Sequence, residues 1–416
     1  MTRHFDVAIV GSGHGGAQAA ITLRQKKFSG SIGIITAEHE PPYERPPLTK
    51  DYLAGERALE RMLLRPKPFW EGNGIDLLRS RRVTGLLPGR RVLTLSNDTC
   101  VSYGKLIWAA GGRARKLDCP GSGLDGVCAI RTLDDCNELR RELESARKVV
   151  AIGGGYIGLE AAATLRKLGK DVTLIEASER LLSRTCDPVI SDYLEQEHRR
   201  HGVAVRLATN VVSIKGHQGR VAGVTLEGGA TLEADLVIVG IGLDPRIAEL
   251  KAAGAQCANG ILVDSHCRAS LEHIYAIGDC AAFRNCWTRG DYARLESVQN
   301  AAGMARTAVQ DILGGDESYE ELPWFWSHQY DLKLQTIGWN AGYDRVVLRG
   351  EKSTGRFTLA YLKGGVVIAL DCINQPADFV QGRKLIEARA SVDPAKLADP
   401  AHSLKSMVPV LEEAGR

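Results

Sequence analysis

No cysteine precedes residue 100, and none of the ten that follow stands in a C-x-x-C or zinc-ligand spacing. A redox-active thiol pair is therefore not expected beside an early cofactor site, nor is a structural metal. Scattered, unpaired thiols suit a reducing compartment, and the expected location is the cytoplasm. Long apolar runs are also missing; none approaches the roughly 18 residues of a membrane span. Arg3 leads straight into a short strand pattern without a secretory h-region. Charge of one sign is lacking too. A net charge of +3 with no lysine–arginine tract argues against nucleic acid as a partner, and nothing points to a membrane. The 44% hydrophobic fraction of 416 residues suffices for the buried cores of two or three domains.

Glycine, by contrast, is abundant, and its placement organises the chain. In V-V-A-I-G-G-G-Y-I-G-L-E (149–160) a short apolar run ends in Gly153, Gly155 and Gly158, and a helical pattern follows. Such a strand, tight turn and helix start suits a dinucleotide. The first glycine permits the turn, the second lets backbone approach a pyrophosphate, and the third lets helix and strand pack closely. Unpaired N–H groups at the helix start would face the phosphates. The same device stands 142 residues earlier, at Gly11, Gly13 and Gly16 in D-V-A-I-V-G-S-G-H-G-G-A-Q-A-A-I-T-L-R. Ala19, Ala20, Thr22, Leu23 and Arg24 recur there as Ala161, Ala162, Thr164, Leu165 and Arg166. With 45 glycines the spacing alone is weak evidence. Gly121, Gly123 and Gly126 satisfy it as well, but they follow Cys119-Pro120 and precede no helical pattern, so a loop is expected.

Each module should end its second strand near a carboxylate that accepts ribose hydroxyls. Glu38 stands 22 residues after Gly16 and Glu176 stands 18 after Gly158. Glu38 reads as that acceptor or as a solvated loop acid. A carboxylate at 176 repels a 2′-phosphate and favours NADH over NADPH, a preference that Arg180 and Arg184 could soften. Between the modules lies P-P-Y-E-R-P-P-L-T-K (41–50), expected as a stiff extended entry. Thr49 reads as an N-cap for a following helix. Lys50 is either an ammonium held in a fixed place or an ordinary surface lysine. Strands are expected over residues 75–95 and 103–112, and a helix after R-T-L-D-D (131–135). A-D-L-V-I-V-G-I-G-L (234–243) reads as a buried strand ending in Gly240 and Gly242. Asp279, just past the strand at 273, reads as a polyol acceptor or a helix cap. A helix should begin near Glu296. Past 323 the chain alternates as short strands and ends in helix, with at least one of Trp324 and Trp326 reading as part of a small core.

Two dinucleotide modules in one chain imply two dinucleotides, most simply FAD in the first and NADH in the second. A nicotinamide gives a hydride, and a flavin can release electrons singly. Because the thiols of a disulfide reductase are missing before Cys100, the electron acceptor is expected to be an external partner. On this scaffold an NADH oxidase, a rubredoxin reductase or a non-catalytic redox sensor remain alternatives.

In order, V-x-I-V-G-S-G-H-G-G, R-P-P-L-T-K, R-T-L-D-D, G-G-G-Y-I-G-L-E, A-D-L-V-I-V-G-I-G, A-I-G-D-C-A, R-L-E-S-V-Q-N-A and P-W-F-W-S-H-Q run from residue 7 to 329. I-N-Q-P-A-D-F continues the series to 379. This series resembles the NADH-dependent ferredoxin reductases coupled to bacterial oxygenases. The resemblance implies an α/β, glutathione-reductase-like fold with two Rossmann-type domains and a carboxy-terminal α+β interface domain. FAD would be bound by 1–113 and 244–322, NAD by 114–243, and residues 323–416 would carry the interface. The partner would be a [2Fe–2S] ferredoxin, Rieske-type or putidaredoxin-like, serving a Rieske oxygenase or a cytochrome P450.

The resemblance also implies roles for single residues. Gly11, Gly13, Gly15, Gly16 and Glu38 would hold the FAD pyrophosphate and ribose, with Val83 beside the adenine. Arg45, Lys50 and Arg131 would contact FAD, Asp279 the ribityl chain, and Val298 the isoalloxazine edge. Gly153, Gly155, Gly158, Glu176 and Gly242 would serve NADH. Lys50 would pair with Glu160 beside the flavin N5. Glu160 is expected on the first turn of its helix, where a carboxylate favours the helix dipole; the matching position in the first module is the uncharged Gln18. Trp326 would stand near the flavin on the ferredoxin side. Two departures from the family are His328, where aspartate is usual, and Ala109-Ala110-Gly111, just after Trp108, where A-T-G is common. A packed, neutral histidine is the expectation at 328.

Overall fold

The computed structural model describes residues 3–409. The chain forms two compact units. The first comprises residues 1–47, 55–113 and 243–321; the second comprises 48–54, 114–242 and 322–416. The stretch expected to bind NAD and the carboxy-terminal stretch thus share one unit, which also takes the short segment carrying Lys50.

In the first unit the apolar runs become a sheet whose central strands are buried on both faces. Arg3–Val10 lies between Ile32–Ile35 and Cys100–Trp108, parallel to both. Ile75–Leu78 extends the sheet beyond Ile32–Ile35, and Ile274–Ala276 pairs with the end of Cys100–Trp108. Strands Val83–Leu87 and Val92–Leu95 add an antiparallel edge. Strands covered on both sides read as continuous apolar runs rather than alternating ones, which is why V-A-I-V and I-G-I-I stand out in the sequence. Helices His14–Gln25 and Val298–Ile312 pack together through small side chains: a Cβ on Gly15 would touch Ala301. Trp108, just before Ala109-Ala110-Gly111, is fully buried, and its indole N–H donates to the Arg246 carbonyl at 2.8 Å, so it carries no unpaired polar group.

The second unit holds a parallel sheet in the order 204–206, 171–175, 148–152, 236–239 and 127–129. An antiparallel ribbon of Val211–His217, Arg220–Leu226 and Thr231–Glu233 accompanies it. The carboxy-terminal strands make a five-stranded antiparallel sheet ordered 324–329, 332–338, 366–373, 356–363 and 345–351. Strand alternation sends Phe325, Ser327 and Gln329 to the opposite face from Trp324, Trp326 and His328. The Phe325 face packs on the helices Tyr156–Lys167 and Pro188–Arg200, with Phe325 against Tyr156 and Phe357 against Tyr193. The other face takes the helix Pro376–Glu387, where Arg349 and Thr358 both donate to Asp378.

Several local expectations change. Pro46–Thr49 is a 3-10 turn rather than an extended entry. Its prolines sit at the first two positions, where no intrahelical N–H is required. No helix follows Thr49, so its hydroxyl caps nothing and is used elsewhere. The helix expected at Glu296 begins at Val298, because Ser297 caps it by accepting from the Asn300 N–H at 3.1 Å. Trp324 and Trp326 are both half-buried rather than core. The triplet at 121–126 is indeed loop.

Asp371 is buried in the carboxy-terminal sheet, where it accepts from the Tyr361 hydroxyl at 2.5 Å. Burial raises its carboxyl to about 7; the tyrosine bond opposes the rise, and the Asp187 charge adds to it. A carboxyl whose folded value lies above its unfolded one stabilises the fold fully at low pH and loses that contribution as pH rises. Relative to Asp371→Asn, the wild type should therefore lose unfolding free energy between about pH 4 and 7, by at most about 1.4 kcal/mol per unit, and level off above. Denaturant unfolding at several pH values checks this; a difference that is flat or grows with pH contradicts it.

Candidate active site

The two glycine turns are near copies in space as well as in sequence. Gly11 and Gly153 have φ of +105° and +111°, a region open to glycine, and a Cβ on either would strike the carbonyl of Ala109 or Gly240. A Cβ on Gly16 or Gly158 would overlap the oxygen of Gly11 or Gly153, which fixes the close packing of strand and helix. The middle glycines differ. Around Gly13 the nearest atom is Arg45 Nε at 3.9 Å, and around Gly155 it is the Gly240 oxygen at 4.0 Å. Neither helix has a side-chain cap or an acid in its first turn, whereas those at Leu133, Pro188 and Val298 are capped by Thr132, Asp187 and Ser297. Open backbone at the middle glycine and a helix start without a capping side chain fit a pyrophosphate in each unit.

The carboxylates follow. In the first unit Ser12 of the glycine turn bonds Thr36 at 2.8 Å, and Thr36 accepts from the Glu38 N–H. The Glu38 carboxylate takes Tyr43 O–H on one oxygen and Arg45 on the other. Burial works against the charge of Arg45, but Glu38, Tyr43 and Asp279 outweigh it and raise the guanidinium's value. Asp279 lies inside the 3-10 turn Gly278–Cys280 and is not a helix cap; a Cβ on Gly278 would press on Ala301 of the helix that Val298 begins. Gly13, Gly15, Glu38, Arg45, Asp279 and Val298 thus gather about one end of the first unit. Val83 is buried in that unit's core.

In the second unit Glu176 accepts from the Gly154 N–H at 2.6 Å and the Ser178 N–H at 2.8 Å. This anchors the carboxylate at the glycine turn and leaves lone pairs for ribose hydroxyls. Arg180 donates to the Cys186 and Ser183 carbonyls and to Ser191 Oγ; Arg184 is exposed. Gly242 has φ +113° beside Arg115, and Arg131 stands just before the capping box of Thr132 and Asp135.

Lys50 and Glu160, 110 residues apart, form an ion pair of 2.5 Å. Glu160 is the fifth residue of its helix, so it lies past the first turn and the dipole contributes little. Its partners hold it instead. Oε2 accepts from Lys50 Nζ and from Thr49 Oγ1 at 2.6 Å, and Oε1 accepts from Ser327 Oγ at 2.7 Å. One helical turn on, Thr164 donates to the Thr49 carbonyl at 2.8 Å. At the matching positions of the first module, Gln18 merely bonds Thr22. The duplicated helix has thus been converted into a clamp for the segment carrying Lys50.

Sequence reasoning missed Thr49, Ser327 and Tyr43 as partners. Alternation along 324–329 was a usable signal for Ser327, since it puts that hydroxyl on the face opposite Trp326. His328 is exposed, not packed; partial burial together with the charges of Lys50 and Lys333 lowers its value and keeps it neutral. All ten cysteines are free thiols. Among the described residues no helix is long and apolar enough to cross a membrane.

The pyridine nucleotide-disulphide oxidoreductase family matches residues 5–305, and the reductase C-terminal family matches 324–408. The chain is 51% identical, over 97% of its length and 98% of the relative's, to the 5,5'-dehydrodivanillate O-demethylase ferredoxin reductase subunit of Sphingobium sp.. The crystal structure of the ferredoxin reductase for the CYP199A2 system from Rhodopseudomonas palustris superposes with a TM-score of 0.94 at 39% identity, covering 97% of this chain and all of that one. The covalent putidaredoxin reductase–putidaredoxin complex gives 0.93 at 37%, covering 98% of each chain. With two glycine turns built for dinucleotides and this likeness along nearly its whole length, the chain belongs to the pyridine nucleotide-disulphide oxidoreductase family, among the ferredoxin reductases that use FAD and NADH.

Proposed function

We propose that the first unit holds FAD, that the second holds NADH, and that the electrons leave one at a time to a cytoplasmic [2Fe–2S] ferredoxin serving a Rieske oxygenase or a cytochrome P450. The observation that carries this reading is the pair of matching glycine turns with open middle glycines, of which only the second has gained a buried carboxylate–lysine pair. Bound FAD supplies the chemistry, taking a hydride and releasing single electrons. The chain's residues bind and orient. Gly11, Gly13, Gly15 and Gly16 present backbone to one pyrophosphate, and Gly153, Gly155 and Gly158 to the other. Glu38 and Arg45 form the ribose end of the first site. Glu176 selects the unphosphorylated ribose, because a 2′-phosphate would meet a carboxylate already fixed by two N–H groups. Lys50, its ammonium held by Glu160 and Thr49, is assigned to balance charge as the flavin is reduced. Trp326, half-buried on the same face of the carboxy-terminal sheet as the exposed His328, is assigned to the ferredoxin contact.

Two variants should divide the reaction. Lys50→Met should slow stopped-flow bleaching of the flavin by NADH about tenfold or more, the loss expected for one charged contact. Trp326→Ala should lower ferredoxin-linked cytochrome c reduction while ferricyanide reduction stays at the wild-type rate. Wild-type rates throughout would contradict both assignments, and steady NADH turnover with neither ferredoxin nor ferricyanide added would contradict the external acceptor. For Glu176→Gln the ratio of kcat/KM for NADH to that for NADPH should fall by about tenfold or more; an unchanged ratio removes Glu176 as the selector.

A further inference from the structure

The Glu160 carboxylate ends a longer line of buried polar groups within the second unit. Ser327 Oγ donates to Glu160 Oε1 at 2.7 Å, Gln329 Nε2 reaches Ser327 Oγ at 3.1 Å, and Gln329 Oε1 faces His198 Nε2 at 2.9 Å. His198 Nδ1 faces the Tyr330 hydroxyl at 3.0 Å, and the Tyr330 ring stacks on His201 with centroids 3.7 Å apart. Ser327, Gln329 and His198 are each no more than 1% exposed. No solvent competes for these groups, so each must be satisfied by its neighbour.

The direction of the line is fixed from its acceptor end. A carboxylate only accepts, so Ser327 spends its one proton on Glu160. Its oxygen must then accept from the Gln329 amide N–H. That orientation turns Gln329 Oε1 to His198, which must donate from Nε2. Nδ1 is left as an acceptor for the Tyr330 O–H. Burial lowers His198 to about 4, which keeps the ring neutral and Nδ1 able to accept. Every donor therefore points toward Glu160, and aligned bonds of this kind polarise one another. Tyr330 adopts a left-handed backbone (φ +56°), an uncommon state for a bulky residue; ring stack and hydroxyl bond hold it there.

We infer that Ser327, Gln329 and His198 are positioning residues for the reductive half-reaction, a one-way hydrogen-bond relay that holds the Glu160 carboxylate and, through it, the Lys50 ammonium in their working places. The inference rests on the role proposed for Lys50. It makes the hairpin that carries Trp326 and His328 part of the apparatus that sets Lys50, since Ser327 and Gln329 belong to the same strand.

Gln329→Glu is the sharpest test. It preserves size and the acceptor facing His198, but it replaces the amide donor with a second carboxylate, so two acceptors compete for the Ser327 proton. In the flavin-loaded protein NADH-driven bleaching should slow about tenfold, the loss of one hydrogen bond to a charged group, with the NADH Kd unchanged. Ser327→Ala should do the same, and Ser327→Thr, which keeps the hydroxyl, should restore the wild-type rate. A second readout needs no flavin. Peptide mass spectrometry after acetylation of the flavin-free chain should show Lys50 labelled at least threefold faster in Gln329→Glu and Ser327→Ala, with Lys333 on the same hairpin unchanged. Wild-type bleaching and wild-type Lys50 labelling in both variants overturn the relay; equal acceleration at Lys50 and Lys333 overturns it too, because that reports a loosened hairpin. Lys50→Met separates the two levels. If it bleaches at the wild-type rate the role of Lys50 itself fails; if it is slow while the Ser327 and Gln329 variants are normal, only the relay fails.

Discussion

The constraint on which the functional part of the second unit depends is the satisfaction of one buried carboxylate. Glu160 is 4% exposed. Stripping a partner from a buried charge costs about 3–5 kcal/mol, so the groups that surround it are held strongly to their places. Lys50 and Thr49 come from the segment 48–54, Glu160 from the helix of the second glycine turn, and Ser327 from the first strand of the carboxy-terminal sheet. Three stretches far apart in sequence are joined at a single pair of oxygens. The arrangement explains why residues 48–54 belong to the second compact unit although the chain on either side belongs to the first. Cys136 Sγ on the Leu48 carbonyl, Tyr52 on Asn137 and Thr164 on the Thr49 carbonyl complete the attachment.

The two dinucleotide modules are copies that use two matched helical positions differently. The strand, the positive-φ glycine, the close third glycine and the uncapped helix start are shared. At 18 against 160 an amide bonding its own helix is replaced by a carboxylate holding another segment, and the threonine common to 22 and 164 bonds Gln18 in one module and the Thr49 carbonyl in the other. The shared features are those assigned to binding, and the carboxylate at 160 gives the second module a charge to place. Likeness to ferredoxin reductases agrees with this division, because such an enzyme needs two dinucleotides but only one directed transfer between them.

Much of this was legible in the sequence, for reasons that can be named. The glycine turns were readable because each glycine answers a local requirement, a positive φ or a close approach. The central strands were readable because burial on both faces leaves unbroken apolar runs. The lack of any cysteine before Cys100 already pointed to an acceptor outside the chain. Pro46–Thr49 was misread because prolines exclude a helix interior yet tolerate the start of a 3-10 turn. Thr49 looked like a cap because its local spacing is that of a cap; its true partner lies 111 residues away. His328 was expected to be packed, but strand alternation turns it outward beside Trp326. The relay from Tyr330 to Glu160 was invisible because it joins two helices, a strand and a turn by contacts that no local spacing encodes.

The central claim is that Lys50 and Glu160 act as one unit, with the carboxylate serving chiefly to place the ammonium. A double-mutant cycle on the rate of flavin bleaching by NADH tests it most directly, using Lys50→Met, Glu160→Gln and the two together. A single unit predicts that the double variant is no slower than Lys50→Met alone, within about twofold. Losses that multiply, so that the double variant is slowed by the product of the two single effects, would show two independent groups and would contradict the account.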